Sequence, residues 1–216
     1  MVTKAKAAII KKKRWATIIA PKIFDEQPLG ETYVSEFSEA LGKDISVSLT
    51  TITGDPQKQN IILTFTMTGK TQQAITTTPI GYRLTPAAAR KTMKRAKSKV
   101  EESFKLTTSD NKAIIIKPLL VTKNRTKGAV LRNLRRTLKA QVTKKVTTTT
   151  LENILLDLVT HKLQKELHDV LKKIYPLSTC EIRCFTLVKQ KETKEVHEAA
   201  IATATEPTKE QATAVA

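Results

Sequence analysis

Two neighbouring stretches of this 216-residue chain alternate apolar and polar residues, and this alternation restricts the fold more than any other feature. DISVSLTTIT places Ile45, Val47 and Leu49 on one face of an extended strand. IILTFTMTG repeats the period of two after the turn sequence GDPQ. The sequence therefore predicts two antiparallel strands, with AITTTPIGY as a further short strand interrupted at Pro79.

Helical periodicity begins after these strands. Thr85 offers a hydroxyl cap and Pro86 suits the first helical position, so the sequence predicts a helix that starts here. Basic residues fill most of its surface, and its apolar residues recur at helical spacing. The apolar stripe of this first basic helix comprises Met93, Ala96, Val100 and Phe104.

Two more helical segments and two strand segments complete the predicted α+β chain. TKGAVLRNLRRTLKAQVTKKV predicts a second basic helix, and residues 151–174 predict a core or docking helix that opens with the capping-box spacing of Thr149 to Glu152. Neither Pro nor Gly interrupts residues 151–174, and the sequence leaves open whether they form one helix or two. KLTTSDNKAIIIKPLLVTK predicts a hairpin that turns at Asp110-Asn111, and EIRCFTLVK predicts a closing strand.

The charge of the chain points to a polyanionic partner. Thirty-eight Lys and Arg against twenty Asp and Glu give a net charge of +18. An anionic membrane is the competing partner, but no apolar run approaches the roughly 20 residues that span a bilayer. The N-terminal segment also has the reverse of the secretory-signal pattern. The sequence therefore predicts a cytosolic protein without a membrane partner.

The cations are concentrated in three blocks that lack interleaved acids, so pairing within a helix does not account for them. We predict that these blocks bind RNA phosphates, and that replacing Arg135 and Arg136 by alanine lowers the salt dependence of RNA affinity by one or two contacts. The first block, in an N-terminal arm of residues 1–14, contributes Lys11, Lys12, Lys13 and Arg14. The second block, in the first basic helix, contributes Arg90, Lys91, Lys94, Arg95 and Lys97. The third block contributes Lys123, Arg125, Lys127, Arg132, Arg135, Arg136, Lys139, Lys144 and Lys145.

The low aromatic content favours folded RNA over single strands. Aromatic residues make up only 4% of the chain, and no strand carries the stacking signature of common single-strand readers. Many cations with few aromatics suit contacts to the phosphates and 2′-hydroxyls of double-helical RNA. The composition therefore favours a protein that binds an RNA scaffold.

No catalytic or metal-binding constellation is recognised in the sequence, and we expect no cofactor. Gly69-Lys70-Thr71 lacks the earlier glycine of a phosphate-binding loop. His161 and His168 lack a third ligand, so we interpret them as surface or half-buried residues. Cys180 and Cys184 lie about 13 Å apart on a strand, too far for a disulfide or a shared zinc, and are expected in or near the core.

Trp15, the only tryptophan, follows four consecutive cations in KKKRWATIIAPKIF. Its indole could stack on bases, anchor the arm in the core, or lie at a membrane interface. The scarcity of companion aromatics and of membrane-seeking segments favours the buried anchor. We therefore expect Trp15→Ala to cost about 3–5 kcal/mol of stability.

Several motifs resemble the small-subunit ribosomal protein family that archaea and eukaryotes share, called S-three-A-e or e-type S-one. The opening motif comprises Trp15, Ala20, Pro21, Phe24, Gly30 and Thr32. The central motif comprises Gly81, Leu84-Thr85, Val100-Glu101, Leu106, Thr108, Asp110 and Val121-Thr122-Lys123. The closing motif comprises Ile174, Tyr175, Pro176, Leu177 and Arg183.

The resemblance implies a non-enzymatic ribosomal protein with an antiparallel β-barrel-like core, flanking basic helices and a C-terminal helix and strand. It implies binding to small-subunit rRNA at the platform near the messenger exit, with Arg183 as a further RNA contact. Neighbouring platform proteins are the expected partners, messenger RNA and initiation factors are further candidates, and no homo-oligomer is expected. The alternative is a free-standing translation or RNA-processing factor that visits ribosomes transiently.

The expected organisation has three parts. Residues 1–14 form a basic arm, residues 15–190 a single RNA-binding domain, and residues 191–216 a low-complexity tail rich in Ala, Thr and Glu. The arm is expected to be disordered unless an anionic partner holds it. The tail is expected to be disordered because it carries too few large apolar side chains to offset the entropy lost on ordering.

Overall fold

The computed structural model describes residues 12–71 and 74–188, which form an α+β fold. Nearly all of the predicted arm and the whole predicted tail lie outside these residues. The strands are β1 (Arg14–Ile19), β2 (Pro28–Val34), β3 (Asp44–Ser48), β4 (Ile61–Lys70), β5 (Ala74–Leu84), β6 (Lys99–Glu101), β7 (Phe104–Thr107), β8 (Ala113–Thr122) and β9 (Leu177–Leu187). The α-helices are α1 (Leu49–Thr53), α2 (Pro86–Thr92), α3 (Gly128–Thr148), α4 (Leu151–Val159) and α5 (Lys162–Lys172).

The predicted antiparallel strand pair is confirmed, but the first strand is shorter than predicted, because it ends at Ser48 and Leu49–Thr53 forms α1. In β3 and β4, Val47 lies opposite Leu63 and Ile45 lies opposite Phe65, so the alternating apolar residues of both strands share one face. The hairpin at Asp110-Asn111 is also confirmed, since β7 pairs antiparallel with β8 and Asn111 has a φ of 55°. Asn tolerates this left-handed conformation better than most residues.

The nine strands form one mixed sheet rather than the expected antiparallel barrel. β1 runs parallel to β5 through Thr17–Ile19 and 74–76, whereas the other pairs are antiparallel. β1 and β9 pair with different parts of the same edge of β5. In the same way, β6 and β7 pair with different parts of one edge of β8. The sheet therefore branches, and no pairing among the described residues joins two of its outer strands, β2, β3, β6 and β7, to close a barrel.

Proline does not interrupt the long strands, because the sheet shifts its register where proline occurs. β5 runs through Pro79, which lies opposite Phe65 and next to Ile80, the extra residue that β5 has at a register shift against β4. Pro118 of β8 likewise lies at a register shift against β9. Proline cannot donate a ladder hydrogen bond, and a bulge removes the need for one. AITTTPIGY is therefore one continuous strand.

The predicted first basic helix is wrong beyond its first two turns. α2 ends at Thr92, and the Val100 and Phe104 assigned to its stripe lie instead in β6 and β7. Val100 is fully buried opposite Leu120 of β8. Repulsion among the closely spaced cations from Arg90 to Lys97 disfavours a longer helix, and strand pairing with β8 buries Val100 instead.

Residues 151–174 form two helices, α4 and α5, whose apolar faces are buried in the core. The break falls at His161, which adopts a left-handed φ of 57° that histidine tolerates better than most residues. The buried Gln164 side chain donates from Nε2 to the carbonyl oxygen of Leu158 at 3.1 Å, which satisfies a carbonyl at the end of α4. A side chain therefore stabilises the break without Gly or Pro.

The start of α4 is capped by a residue distant in sequence rather than by its own capping box. Thr150 occupies the N-cap position but makes no side-chain capping bond within the described residues. Instead the backbone N–H of Leu151 donates to Oδ2 of Asp110 at 3.0 Å. The β7–β8 turn is thereby attached to the helical layer.

We expect Asp110→Ala to lower the free energy of unfolding by about 1–2 kcal/mol, the usual cost of losing a helix cap. Urea unfolding followed by circular dichroism measures this change. Asp55→Ala is the matched control, because Asp55 is an exposed aspartate that forms an ion pair with Lys58 at 2.8 Å and makes no side-chain capping bond among the described residues. The control should change stability by less than about 1 kcal/mol, and equal losses in both variants would contradict the capping role.

Candidate nucleic-acid-binding surface

α3 occupies the segment of the second predicted helix, and it carries the largest group of predicted RNA-binding residues. One side of this 21-residue helix buries Leu134, Leu138, Val142 and Val146. The predicted cations on the rest of its circumference are exposed to solvent: Arg132, Arg135, Arg136, Lys139, Lys144 and Lys145. Positions 132, 136 and 139 recur at helical spacing and so form one stripe.

The loop before α3 is held against the segment that precedes β6 by hydroxyl groups. The backbone N–H of Thr126 donates to Oγ of Ser98 at 3.0 Å. Thr122 is fully buried, and its Oγ1 accepts from the Ser98 N–H at 3.0 Å while donating to the Asn124 carbonyl at 2.7 Å. These bonds fix the loop that carries the exposed cations Lys123, Arg125 and Lys127.

The cations around α2 lie beside the same loop. Arg90, Lys91, Lys94 and Arg95 are exposed, whereas Lys97 is half-buried and its Nζ donates to Oγ of Ser178 at 2.5 Å. Residue 97 immediately precedes Ser98, which bonds the loop, so the end of the second sequence block adjoins the start of the third. We call this region the basic surface; it comprises Arg90, Lys91, Lys94, Arg95, Lys97, Lys123, Arg125, Lys127, Arg132, Arg135, Arg136 and Lys139.

Three of the predicted RNA-binding residues are already paired with carboxylates from other elements. Arg135 Nε contacts Glu102 Oε1 at 2.9 Å, and Lys145 Nζ contacts Glu166 Oε2 at 2.5 Å. Arg183 forms a short ion pair with Glu101. The sequence blocks lack acids, but tertiary folding supplies them. In the described part of the chain, by contrast, Arg132, Arg136 and Lys139 make no ion pair.

Glu101 holds two cations at the edge of the basic surface. The Lys99 side chain contacts it at 2.5 Å, and Arg183 contacts its other oxygen. The hydrogen bond from Lys99 lowers the pKa of Glu101, partial burial opposes this shift, and Arg183 lowers the pKa further. Glu101 is therefore a carboxylate at neutral pH, and Arg183 is an internal partner of this carboxylate.

We expect Glu101→Gln to destabilise the fold near neutral pH and to have less effect in acid. Because the folded-state pKa is lowered, the stabilisation is complete above the unfolded-state pKa and is lost as the pH falls through the folded-state value. Unfolding free energies at pH 7 and pH 3 measure the difference. Lys99→Gln, which keeps Glu101, should also reduce the pH dependence of the unfolding free energy. If both variants keep the pH dependence of wild type, Glu101 is not its source.

The N-terminal block lies at another place in the fold. Lys11 lies outside the described residues, whereas Lys12, Lys13 and Arg14 are exposed where β1 begins. Lys13 Nζ lies 5.9 Å from the ring centroid of Tyr33, and the Arg14 guanidinium lies 4.4 Å from that of Phe37. Both distances suit cation–π contacts.

The expectation that Trp15 is buried is wrong. Its side chain is 67% exposed, because the alternation of β1 turns Ala16 and Ile18 into the core and leaves Trp15 on the opposite face. Sequence reasoning judged the residue by its size rather than by its phase in the strand. It also missed Tyr33, which lies directly opposite Trp15 in β2 and is 53% exposed. The alternation of WATII was the available signal.

Burial shifts the pKa of several titratable side chains in and near the core. Burial raises the pKa of the Cys180 thiol to about 12, with the charge of Glu181 adding to the effect, so this thiol stays protonated at neutral pH. Burial also raises the pKa of Glu181. Burial, Lys58 and Lys165 lower the pKa of His161, which keeps the ring neutral. As predicted, Cys180 is buried, and Cys184, His161 and His168 are half-buried.

Residues 12–71 and 74–188 contain neither a cluster of metal-binding side chains nor a membrane-spanning helix. No group of three His, Cys, Asp or Glu side chains there is arranged to hold a metal ion. Within the same residues, no helix has the length and apolar character needed to cross a membrane.

Comparison with known proteins identifies the family. Exposed cations grouped on a folded domain are the electrostatic footprint typical of a protein that binds nucleic acid. The Ribosomal S3Ae family matches residues 2–191, and the chain belongs to this family. The resemblance inferred from the sequence motifs is thereby confirmed.

Individual relatives carry the same description. A protein of Halorubrum lacusprofundi named small ribosomal subunit protein eS1 is 33% identical over 175 residues, which cover 81% of each chain. A protein of the same name from Saccharolobus islandicus is 28% identical over 179 residues, covering 83% of this chain and 86% of the relative. The similarity therefore spans most of both proteins.

Proposed function

We propose that this chain is a structural constituent of the small ribosomal subunit, where it binds small-subunit rRNA at the platform near the messenger exit. The observation that carries the proposal is membership of the Ribosomal S3Ae family across residues 2–191. The relatives that share most of its length are named as small-subunit ribosomal proteins. The chain would then work in the cytoplasm, within the ribosome, and support assembly and translation without catalysis.

The basic surface supports the RNA-binding part of the proposal. Its exposed cations extend from α2 through the Ser98-bound loop to Lys139 of α3. Phosphate groups would offset the mutual repulsion of the stripe at Arg132, Arg136 and Lys139, which no ion pair among the described residues neutralises. Lys144 and Lys145 lie about 20 Å further along the helix from Arg132, and Lys145 holds α5 through Glu166.

The domain organisation remains part of the proposal. Residues 15–190 act as one RNA-binding domain, the arm of residues 1–14 adds basic contacts, and residues 191–216 form the tail. Neighbouring platform proteins are the proposed protein partners, with messenger RNA and initiation factors passing nearby, and the chain acts as one copy per subunit rather than as a homo-oligomer.

RNA affinity measured against salt concentration tests this proposal. The full chain is titrated with small-subunit rRNA fragments at 50–300 mM salt. Phosphate contacts release counterions, so the logarithm of affinity should fall linearly with the logarithm of salt concentration, by about 0.9 for each contact. An affinity that is independent of salt would contradict binding through the basic surface.

A further inference from the structure

Trp15 and Tyr33 form an exposed aromatic pair on the outer face of β1 and β2. The two residues are directly opposite in the antiparallel register, their ring centroids are 5.0 Å apart, and their planes are tilted by 45°. At 67% and 53% they are the two most exposed large apolar side chains among the described residues. The pair therefore presents a large aromatic area to solvent.

The fold does not require these rings. The opposite face of β1 supplies Ala16 and Ile18 to the core, and β2 supplies Leu29 and Val34. Trp15 and Tyr33 thus contact each other rather than the core. Adjacent exposed aromatics of this size are unusual on a soluble surface and mark sites of interaction.

The surroundings of the pair favour an anionic ligand that carries flat rings. Lys13 Nζ lies 5.9 Å from the Tyr33 centroid, and Lys12 and Arg14 flank it in sequence. The one carboxylate on the outer face of the paired strands is Glu31, which lies opposite Thr17. The end where β1 begins carries three cations, Lys12, Lys13 and Arg14, against Glu36 and Glu39 after β2, so a polyanion would meet a net positive charge there.

We propose that Trp15 and Tyr33 form a stacking platform for an unpaired base of single-stranded RNA, and that Lys12 and Lys13 bind the flanking phosphates. Base–aromatic stacking combined with nearby cations is the general physical means of holding single strands. The proposal deepens the proposed function, on which it rests for the class of ligand, because the basic surface contacts phosphates of folded RNA and this pair would contact a base.

Fluorescence tests the platform directly, because Trp15 is the only tryptophan of the chain. The full-length protein is titrated with an eight-nucleotide oligoadenylate and, separately, with a blunt RNA duplex. We expect the single strand to quench the emission of Trp15. The quenching should be much weaker with the duplex, whose bases are already stacked.

Variants separate stacking from charge. We expect Trp15→Ala to weaken binding of the oligoadenylate about tenfold, as for the loss of one stacked base, and to leave duplex affinity unchanged. Trp15→Phe should retain most of the single-strand affinity because it keeps an aromatic face. Leu41→Ala is the control, since it removes another exposed apolar side chain, and it should change neither affinity.

Two results would overturn the proposal. Equal oligoadenylate affinities in wild type and Trp15→Ala would show that the indole does not stack on RNA. Unchanged emission with oligoadenylate, together with a blue shift when purified small-subunit proteins are added, would assign the pair to a protein neighbour instead. Either result would leave the basic surface intact, because duplex binding and its salt dependence test that surface independently.

Discussion

Phe65→Ala is expected to lower the free energy of unfolding by about 3–5 kcal/mol, the range for removing a buried aromatic side chain. Phe65 is fully buried in β4, and its ring packs edge-on against that of Phe24 with centroids 5.7 Å apart. The substitution would leave a cavity at the centre of the sheet. Denaturant unfolding measures the loss as a lower midpoint with an unchanged slope.

Trp15→Ala is the matched control for the loss of an aromatic side chain. Its indole is mostly exposed, so its removal should cost well under the loss at Phe65, within about 1 kcal/mol. Similar large losses in both variants would mean that Trp15 belongs to the core. That outcome would contradict the position of β1 in the structure.

For the triple variant Arg132→Ala, Arg136→Ala and Lys139→Ala, we consider the slope of log rRNA affinity against log salt concentration. We expect this slope to be less steep than in wild type by about two to three. These cations form an exposed stripe on α3 that is unpaired within the described residues. When a cation that binds a phosphate is removed, the release of about one counterion is removed with it. The affinities of variant and wild type should therefore converge as the salt concentration rises.

A second triple variant controls for total charge. Lys22→Ala, Lys43→Ala and Lys70→Ala removes three exposed cations from the part of the fold formed by β1, β3 and β4. It lowers the net charge by the same amount but lies away from the basic surface, so the salt dependence should stay close to that of wild type. Equal effects of the two variants would indicate general electrostatic attraction rather than a defined binding surface.

The structure also sharpens the pair of substitutions suggested by the sequence alone. Arg135 and Arg136 are equivalent in the sequence pattern, but Arg135 is held by Glu102. Of the two, Arg136 is the better candidate for a phosphate contact. Arg183 is similarly held by Glu101, so binding of RNA by Arg183 would have to compete with an internal carboxylate.

Local pattern was sufficient to predict the elements that it alone determines. The alternation in β3 and β4 predicted an antiparallel pair, and the structure places Val47 opposite Leu63. The period of Leu134, Leu138 and Val142 predicted α3 for the same reason. In these elements one face is buried, and the burial imposes a period that can be recognised in the sequence.

Features that depend on distant partners could not be predicted in this way. Val100 fits a helical stripe in the sequence, but in the structure it lies in β6 and pairs with Leu120 of β8. The sheet branches because β1 and β9 share one edge of β5, which no local pattern reveals. Asp110 caps α4 across 41 positions of sequence, and the acids that pair with Arg135 and Lys145 also come from other elements.

The position of the chain in the small ribosomal subunit is the central claim, and sedimentation tests it most directly. Lysate of the source cells is separated on a sucrose gradient at moderate and at high salt, and the chain is quantified against other small-subunit proteins. We predict one copy per small subunit, retained through the high-salt gradient. Substoichiometric amounts that dissociate at high salt would contradict a resident constituent and would support a factor that visits the ribosome transiently.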